Sequence, residues 1–82
     1  MEHDTPLDRF YQGVIHNISW NNETGLIRSR SGKTFPFVFA YVTLLGAPRH
    51  DLRFLFEGMQ VGFDVGWTSH GLRVTVIKVY DL

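Results

Sequence analysis

The segment that most constrains the fold is a nine-residue run at positions 34–42, which reads Thr-Phe-Pro-Phe-Val-Phe-Ala-Tyr-Val. The run is typical of a β-strand, in which successive side chains point to opposite faces of the sheet. The aromatic residues then share one face and the smaller residues the other, so both faces are largely apolar. A strand with one face in water normally alternates apolar and polar residues. The segment therefore predicts a strand covered on both faces, one by the protein's own core and the other by bound bases or a protein partner.

Composition predicts a single small domain. A chain of 82 residues with 44% hydrophobic and 20% charged residues is ordinary for a globular protein and too apolar for disorder. The absence of cysteine excludes disulfides and thiolate metal sites and fits a reducing compartment. The N-terminal residues are polar and acidic, unlike a signal peptide, and no apolar run is long enough to span a membrane. We expect a flexible tail over 1–9, one domain over 10–82 and a cytoplasmic location.

The remaining patterns predict an all-β fold without a helix-length period. Alternating residues and turn residues predict strands at about 10–20, 26–30, 34–42, 59–67 and 72–80. The looser connection between the third and fourth strands holds at most one short helical turn. Five short strands of this kind predict a small closed antiparallel barrel, because closure removes the edges that a short sheet would otherwise expose.

The charged residues bear on three functions, namely nucleic-acid binding, catalysis and metal binding. The formal net charge is zero, whereas a nucleic-acid-binding domain usually carries a positive excess. The basic residues nevertheless gather at three turns, near 28–33, 49–53 and 70–73. The carboxylates are scattered singly and the histidines have no metal-ligand spacing. We therefore predict no enzymatic activity, no metal and no cofactor.

Five short motifs lie along the chain, and the order in which they occur is informative. They are Gly-Val-Ile-His at 13–16, Gly-Leu-Ile at 25–27, Phe-Val-Phe at 37–39, Leu-Phe-Glu-Gly-Met-Gln-Val-Gly-Phe-Asp-Val at 55–65 and Gly-Leu-Arg at 71–73. Together they resemble the cold-shock domain, with its Gly-x-Val-Lys opening, its two ribonucleoprotein motifs and its Leu-x-Glu-Gly-Gln-x-Val-x-Phe-x-Val segment. The resemblance covers about 11–79. It implies a five-stranded OB-fold barrel that binds single-stranded nucleic acid.

The resemblance also implies a binding face on the second and third strands, where family members stack bases on aromatic rings. In the preferred register Asn17, Thr24 and Leu26 replace aromatic residues of the family's first motif. Phe37 keeps an aromatic residue of the second motif, and Phe39 replaces its histidine.

This register assigns each side chain of the 34–42 segment to one side. The residues turned outward are Phe35, Phe37, Phe39 and Tyr41, and those assigned to the core are Pro36, Val38, Ala40 and Val42. An alternative register aligns Trp20 and Asn21 with a Phe-Asn pair of the family and keeps one more aromatic residue near the site.

The sequence thus predicts weak binding of single-stranded RNA or DNA without strong sequence preference. The candidate contacts combine aromatic, polar and basic side chains: His16, Asn17, Leu26, Arg28, Lys33, Phe37, Phe39, Arg53, Phe54, His70 and Arg73. The alternative is a protein-interaction module or homodimer on the same barrel, which the zero net charge, the lost aromatic residues and the extra apolar face favour. No membrane partner is expected.

Overall fold

Six β-strands form one sheet in the computed structural model, which describes residues 10–46 and 52–80. The strands are β1 Tyr11–Ser19, β2 Thr24–Ser29, β3 Thr34–Val38, β4 Thr43–Leu45, β5 Gln60–Thr68 and β6 Gly71–Val79. Two 3-10 turns accompany them, η1 Phe39–Tyr41 and η2 Leu52–Phe54. The predicted all-β class is confirmed. The predicted tail at 1–9 lies outside the described residues.

The third predicted strand is interrupted, which raises the strand count from five to six. The turn η1 separates β3 from β4, and the two strands lie at opposite ends of the sheet order β3-β2-β1-β5-β6-β4. All pairings are antiparallel except that of β4 with β6, which is parallel. Since only four residues, 39–42, connect the two ends of the sheet, the sheet curls until β3 lies beside β6. No ladder joins β3 to β4 in the described part of the chain, so hydrogen bonds do not close the sheet.

The core fills the concave side of the curled sheet. Cross-strand pairs point there from the first three strands, with Ile15 opposite Ile27 and Gly25 opposite Phe37. The later strands contribute alternating residues, as the pattern of 59–67 predicts, up to Val65. The buried core residues are Ile15, Ile27, Phe37, Leu44, Leu55, Met59, Val61, Phe63, Val74, Ile77 and Val79.

The predicted orientation of β3 is wrong. Phe37 is completely buried, and Phe35 packs against the core with its ring centroid 5.4 Å from that of Phe63. Pro36 lies between them and is exposed. A phenylalanine ring gains far more from burial than proline does. Proline is also tolerated here because β3 is an edge strand, where a missing N–H breaks no second ladder.

The turn η1 interrupts the alternation of inward and outward side chains. The remaining orientations predicted for 34–42 are therefore partly right and partly wrong. Ala40 was assigned to the core and is exposed, whereas Tyr41 is 60% exposed as its outward assignment requires. Val42 packs against the core as predicted. Phe39 was turned outward but is partly buried and packs against the core, with its ring stacked on that of Phe37.

A substitution tests the packing of Gly25 against Phe37. A Cβ atom at position 25 would lie 2.6 Å from Cε1 of Phe37 and 2.8 Å from the carbonyl oxygen of Asn17. Gly25→Ala should therefore lower the free energy of unfolding by about 1–3 kcal/mol or more, because the ring must leave its position. Urea unfolding measures this change.

The matched control is Gly66→Ala, also within a strand. There the nearest atom to the new Cβ is Cγ2 of Thr75 at 3.2 Å, the end of a half-buried side chain. We expect a change within about 1 kcal/mol. Equal losses for the two variants would show that Gly25 has no special packing role.

Candidate nucleic-acid interface

The convex side of the first three strands carries an exposed surface of basic, polar and small apolar side chains. The pairing between the strands places Arg28 between Val14 and Thr34, and Leu26 between Asn17 and Pro36. Residues directly opposite on neighbouring strands share a face. We call this surface the outer face and define it as Val14, His16, Asn17, Leu26, Arg28, Thr34 and Pro36.

A β-bulge in β1 adds a polar side chain to the outer face. The ladder with β2 shifts between Ile15 and Asn17, and His16 is the extra residue. Both His16 and its neighbour Asn17 are exposed, where regular alternation would send one of them inward. The bulge is held by Ile15, whose N–H donates to the carbonyl of Met59 at 2.9 Å and whose carbonyl accepts from Gly58 at 2.7 Å.

The bulged histidine meets the arginine of the neighbouring strand. Nη2 of Arg28 lies 3.3 Å from Nε2 of His16. A guanidinium group can only donate, so the imidazole nitrogen accepts this hydrogen bond. The contact orders the arginine side chain on the outer face without neutralising its charge.

One end of the outer face is the β2–β3 turn, which is basic. The N–H of Ser29 donates to the carbonyl of Lys33 at 2.8 Å, and Gly32 adopts a positive φ of 90° that closes the turn. Arg30 and Lys33 are exposed there. Among the described residues, no carboxylate lies within ion-pair distance of Arg28, Arg30 or Lys33. These cations are available to an anionic ligand.

The opposite end of these three strands is aromatic. Trp20 follows β1 and meets Phe39 edge-on, with ring centroids 5.7 Å apart. Phe39 in turn stacks on Phe37 at 5.9 Å with an interplanar angle of 13°. The N–H of Phe39 donates to the carbonyl of Glu23 at 2.9 Å, which fixes η1 against the β1–β2 turn. Trp20 remains 48% exposed and is the accessible ring of this group.

The structure brings together part of the predicted site. His16, Asn17, Leu26 and Arg28 share the outer face, and Lys33 and Phe39 lie at its two ends. Phe37 does not belong to it, because its buried ring offers no face to a base. Four predicted residues lie on other elements, namely Arg53 and Phe54 in η2, His70 in the β5–β6 turn and Arg73 in β6.

Four residues on or beside the outer face were not among the predicted contacts: Val14, Thr34, Pro36 and Trp20. Thr34 and Pro36 join the outer face because they pair with Arg28 and Leu26, and pairing them across β2 would have placed them there. Trp20 adds the accessible ring, which the alternative register kept near the site.

The charge of this part of the chain differs from the charge of the whole. Residues 10–46 and 52–80 include six Lys or Arg against three Asp or Glu, a formal charge of +3. The remaining residues hold two basic and five acidic side chains, which bring the total to zero. The outer face itself contains Arg28 but no Asp or Glu.

Comparison with protein-family models finds no match, and comparison with curated proteins finds no similar sequence. Over residues 10–46 and 52–80, no helix is long and apolar enough to cross a membrane. The same residues contain no group of three or more histidine or carboxylate side chains placed to hold a metal ion.

A pair of β3 variants separates core residues from surface residues. Phe37→Ala should lower the free energy of unfolding by about 3–5 kcal/mol, because it empties a fully buried site. Thr34→Ala, three residues earlier and exposed, should change it by less than about 0.5 kcal/mol. Thermal or urea unfolding gives both values. A stable Phe37→Ala variant would contradict the buried orientation of β3.

Proposed function

We propose that this protein binds single-stranded RNA or DNA across the outer face. The observation that carries the proposal is the exposed Arg28 at the centre of this face, with further cations at one end and Trp20 at the other. Phosphate groups of a nucleic acid pair with such cations, and bases stack on an accessible aromatic ring. A single strand fits better than a duplex, because unpaired bases expose their ring faces.

The proposed fold is a small barrel of the OB type, close to that of the cold-shock domain. In this view β3, η1 and β4 act as one bent strand. Its first half pairs with β2, and its second half pairs in parallel with β6. The bent strand would then connect both ends of the sheet order. The motif order along the chain supports the same interpretation.

Each part of the outer face has a distinct role in the proposed complex. Arg28, Arg30 and Lys33 hold phosphates, and Leu26 provides an apolar contact for a base or sugar. Asn17 presents an amide that can donate to and accept from base edges. From Thr24 to Arg28 the strand spans about 13 Å, which separates the stacking end from the phosphate end. With one accessible ring, each stacked base adding about 1–3 kcal/mol, the binding is weak and mainly electrostatic.

One of the three arguments for the alternative function, a protein-interaction module or homodimer, was an exposed apolar face within 34–42. Phe37 is buried and Phe39 is half-exposed, so that surface is reduced to Tyr41. The uncompensated cations of the outer face suit a polyanion better than an apolar partner. We therefore rank nucleic-acid binding first.

The salt dependence of binding tests the phosphate contacts. Each contact to a single strand contributes about 0.7 to the slope of log K against log salt. Replacing Arg28 and Lys33 together with Gln should lower this slope by about 1.4 and the affinity on the order of tenfold near 0.1 M salt. Titration of a 12-nucleotide single strand at several salt concentrations, followed by fluorescence anisotropy, gives both values.

Lys78→Gln, which removes one cation elsewhere in the sheet, provides the control. Lys78 lies on β6, where it pairs with Gly62, three strands from β2 in the sheet order. We expect this variant to change the slope by less than half as much as the double variant does. An unchanged slope in the double variant, or no binding by the wild type at low salt, would exclude the proposed function.

The aromatic end gives a separate test. Trp20→Ala should weaken binding of the same oligonucleotide by about 1–3 kcal/mol, because the accessible stacking surface is lost. Trp20→Phe should retain most of the affinity, since phenylalanine also offers a ring face. Tyr11→Ala serves as the control, because Tyr11 is likewise exposed at 61% but lies at the opposite end of β1. Equal effects at Trp20 and Tyr11 would contradict a stacking role for Trp20.

A further inference from the structure

The end of the β5–β6 hairpin carries the most exposed large apolar side chain among the described residues. Trp67 is 83% exposed and lies opposite Leu72, which is 36% exposed. Two positions earlier on the same face, Val65 lies opposite Val74, which is buried. The apolar strip therefore continues from the core into solvent at the hairpin end. A tryptophan left in water in this way indicates a surface that something covers.

A second ring contact connects the hairpin end to the aromatic end of the outer face. Tyr41 is 60% exposed, and its ring centroid lies 6.5 Å from that of His70 in the β5–β6 turn. Tyr41 and Phe39 belong to the same 3-10 turn, and Phe39 contacts Trp20. Exposed rings thus continue from the outer face past η1 to the hairpin, where Trp67 lies three residues before His70.

The charge of the hairpin favours an anionic occupant. Near the turn, residues 65–75 contain Arg73 and His70 but no Asp or Glu, and Asp64 lies just outside this part of the hairpin. Nη1 of Arg73 donates to the carbonyl of Leu72 at 2.9 Å, which holds the guanidinium group at the hairpin end. The other N–H groups of that side chain can reach a phosphate. Arg73 pairs with Gly66 and Trp67 with Leu72, so the cation and the exposed ring project from opposite faces of the hairpin. They can reach one ligand around the hairpin end, where a ring and a cation together bind one nucleotide of a single strand.

We propose that the hairpin end is a second base-stacking site for single-stranded nucleic acid. Trp67 stacks one base of a strand that has crossed the outer face and η1, and Arg73 contacts a neighbouring phosphate. This inference rests on the proposed function and extends it to a site on other strands.

Tryptophan fluorescence can report on Trp67 without a contribution from the other tryptophan. The chain has two tryptophans, so the Trp20→Phe variant leaves Trp67 as the single reporter. Its emission should be quenched when the variant is titrated with a 12-nucleotide oligothymidylate, and less with a 4-nucleotide one that is too short to cover both ends. In the wild-type background, Trp67→Ala should lower the affinity for the 12-mer about 5- to 150-fold.

Two further variants distinguish base stacking on Trp67 from the effect of removing any exposed aromatic side chain. Trp67→Phe should keep most of the affinity, because it retains a ring. Phe56→Ala removes another exposed aromatic residue, 58% exposed in the connection before β5, and should leave the affinity unchanged. Unfolding midpoints of the Trp67 variants should match that of the wild type, since the side chain is almost entirely in solvent.

The outcomes distinguish this inference from the proposed function. If the wild type binds no oligonucleotide at low salt, both fail together. If the wild type binds and Arg28 or Trp20 variants weaken that binding, but Trp67 shows neither quenching nor an effect of its removal, only the second site is excluded. A concentration-dependent dimer that Trp67→Ala abolishes would assign the hairpin end to a second copy of the chain and overturn the inference.

Discussion

The packing of one aromatic ring on one glycine sets the arrangement of the whole molecule. The buried ring of Phe37 occupies the space that the missing side chain of Gly25 leaves on β2. This contact decides which face of β3 points inward, and through the ladder it decides the faces of β2 and β1 as well. Arg28 and Leu26 point outward because Phe37 points inward. The outer face is therefore a consequence of core packing.

The same ring also connects the core to the surface. Phe39 stacks on Phe37, and Trp20 rests edge-on against Phe39, so three rings run in contact from the buried interior to solvent. Each ring restricts the next, which leaves Trp20 with few orientations. A ring that is already held in place loses little conformational entropy when a ligand binds to it. Trp20 is therefore preorganised for ligand binding, even though a single accessible ring contributes little affinity.

The sequence predicts the strands better than it predicts their faces. The alternation of Met59, Val61 and Phe63 identifies a half-buried strand and its inner side, because polar or glycine residues separate the apolar ones. The segment at 34–42 has apolar residues on both sides, so the same rule identifies a strand without fixing its phase. The phase comes from Gly25, a residue on another strand. Pairing between strands is not visible in a local pattern.

The sequence likewise predicts only part of the candidate site. His16, Asn17, Leu26 and Arg28 come together as the motif order implies, whereas the bulge that exposes both His16 and Asn17 has no local signal in the sequence. Trp20 was visible in the sequence, but its contact with Phe39 depends on the position of η1.

The parallel pairing of β4 with β6 has a consequence for how the chain folds. Strands β1 to β3 and the β5–β6 hairpin pair with sequence neighbours, whereas Thr43 must find Val76 and Tyr11 must find Phe63 far along the chain. Pairings of this kind close a long loop, and their entropic cost makes them late events on a folding pathway. We expect the two local units to form first and to dock afterwards through these two pairings. The bend at η1, which takes one segment from the first unit to the second, would then become ordered only when the two units dock.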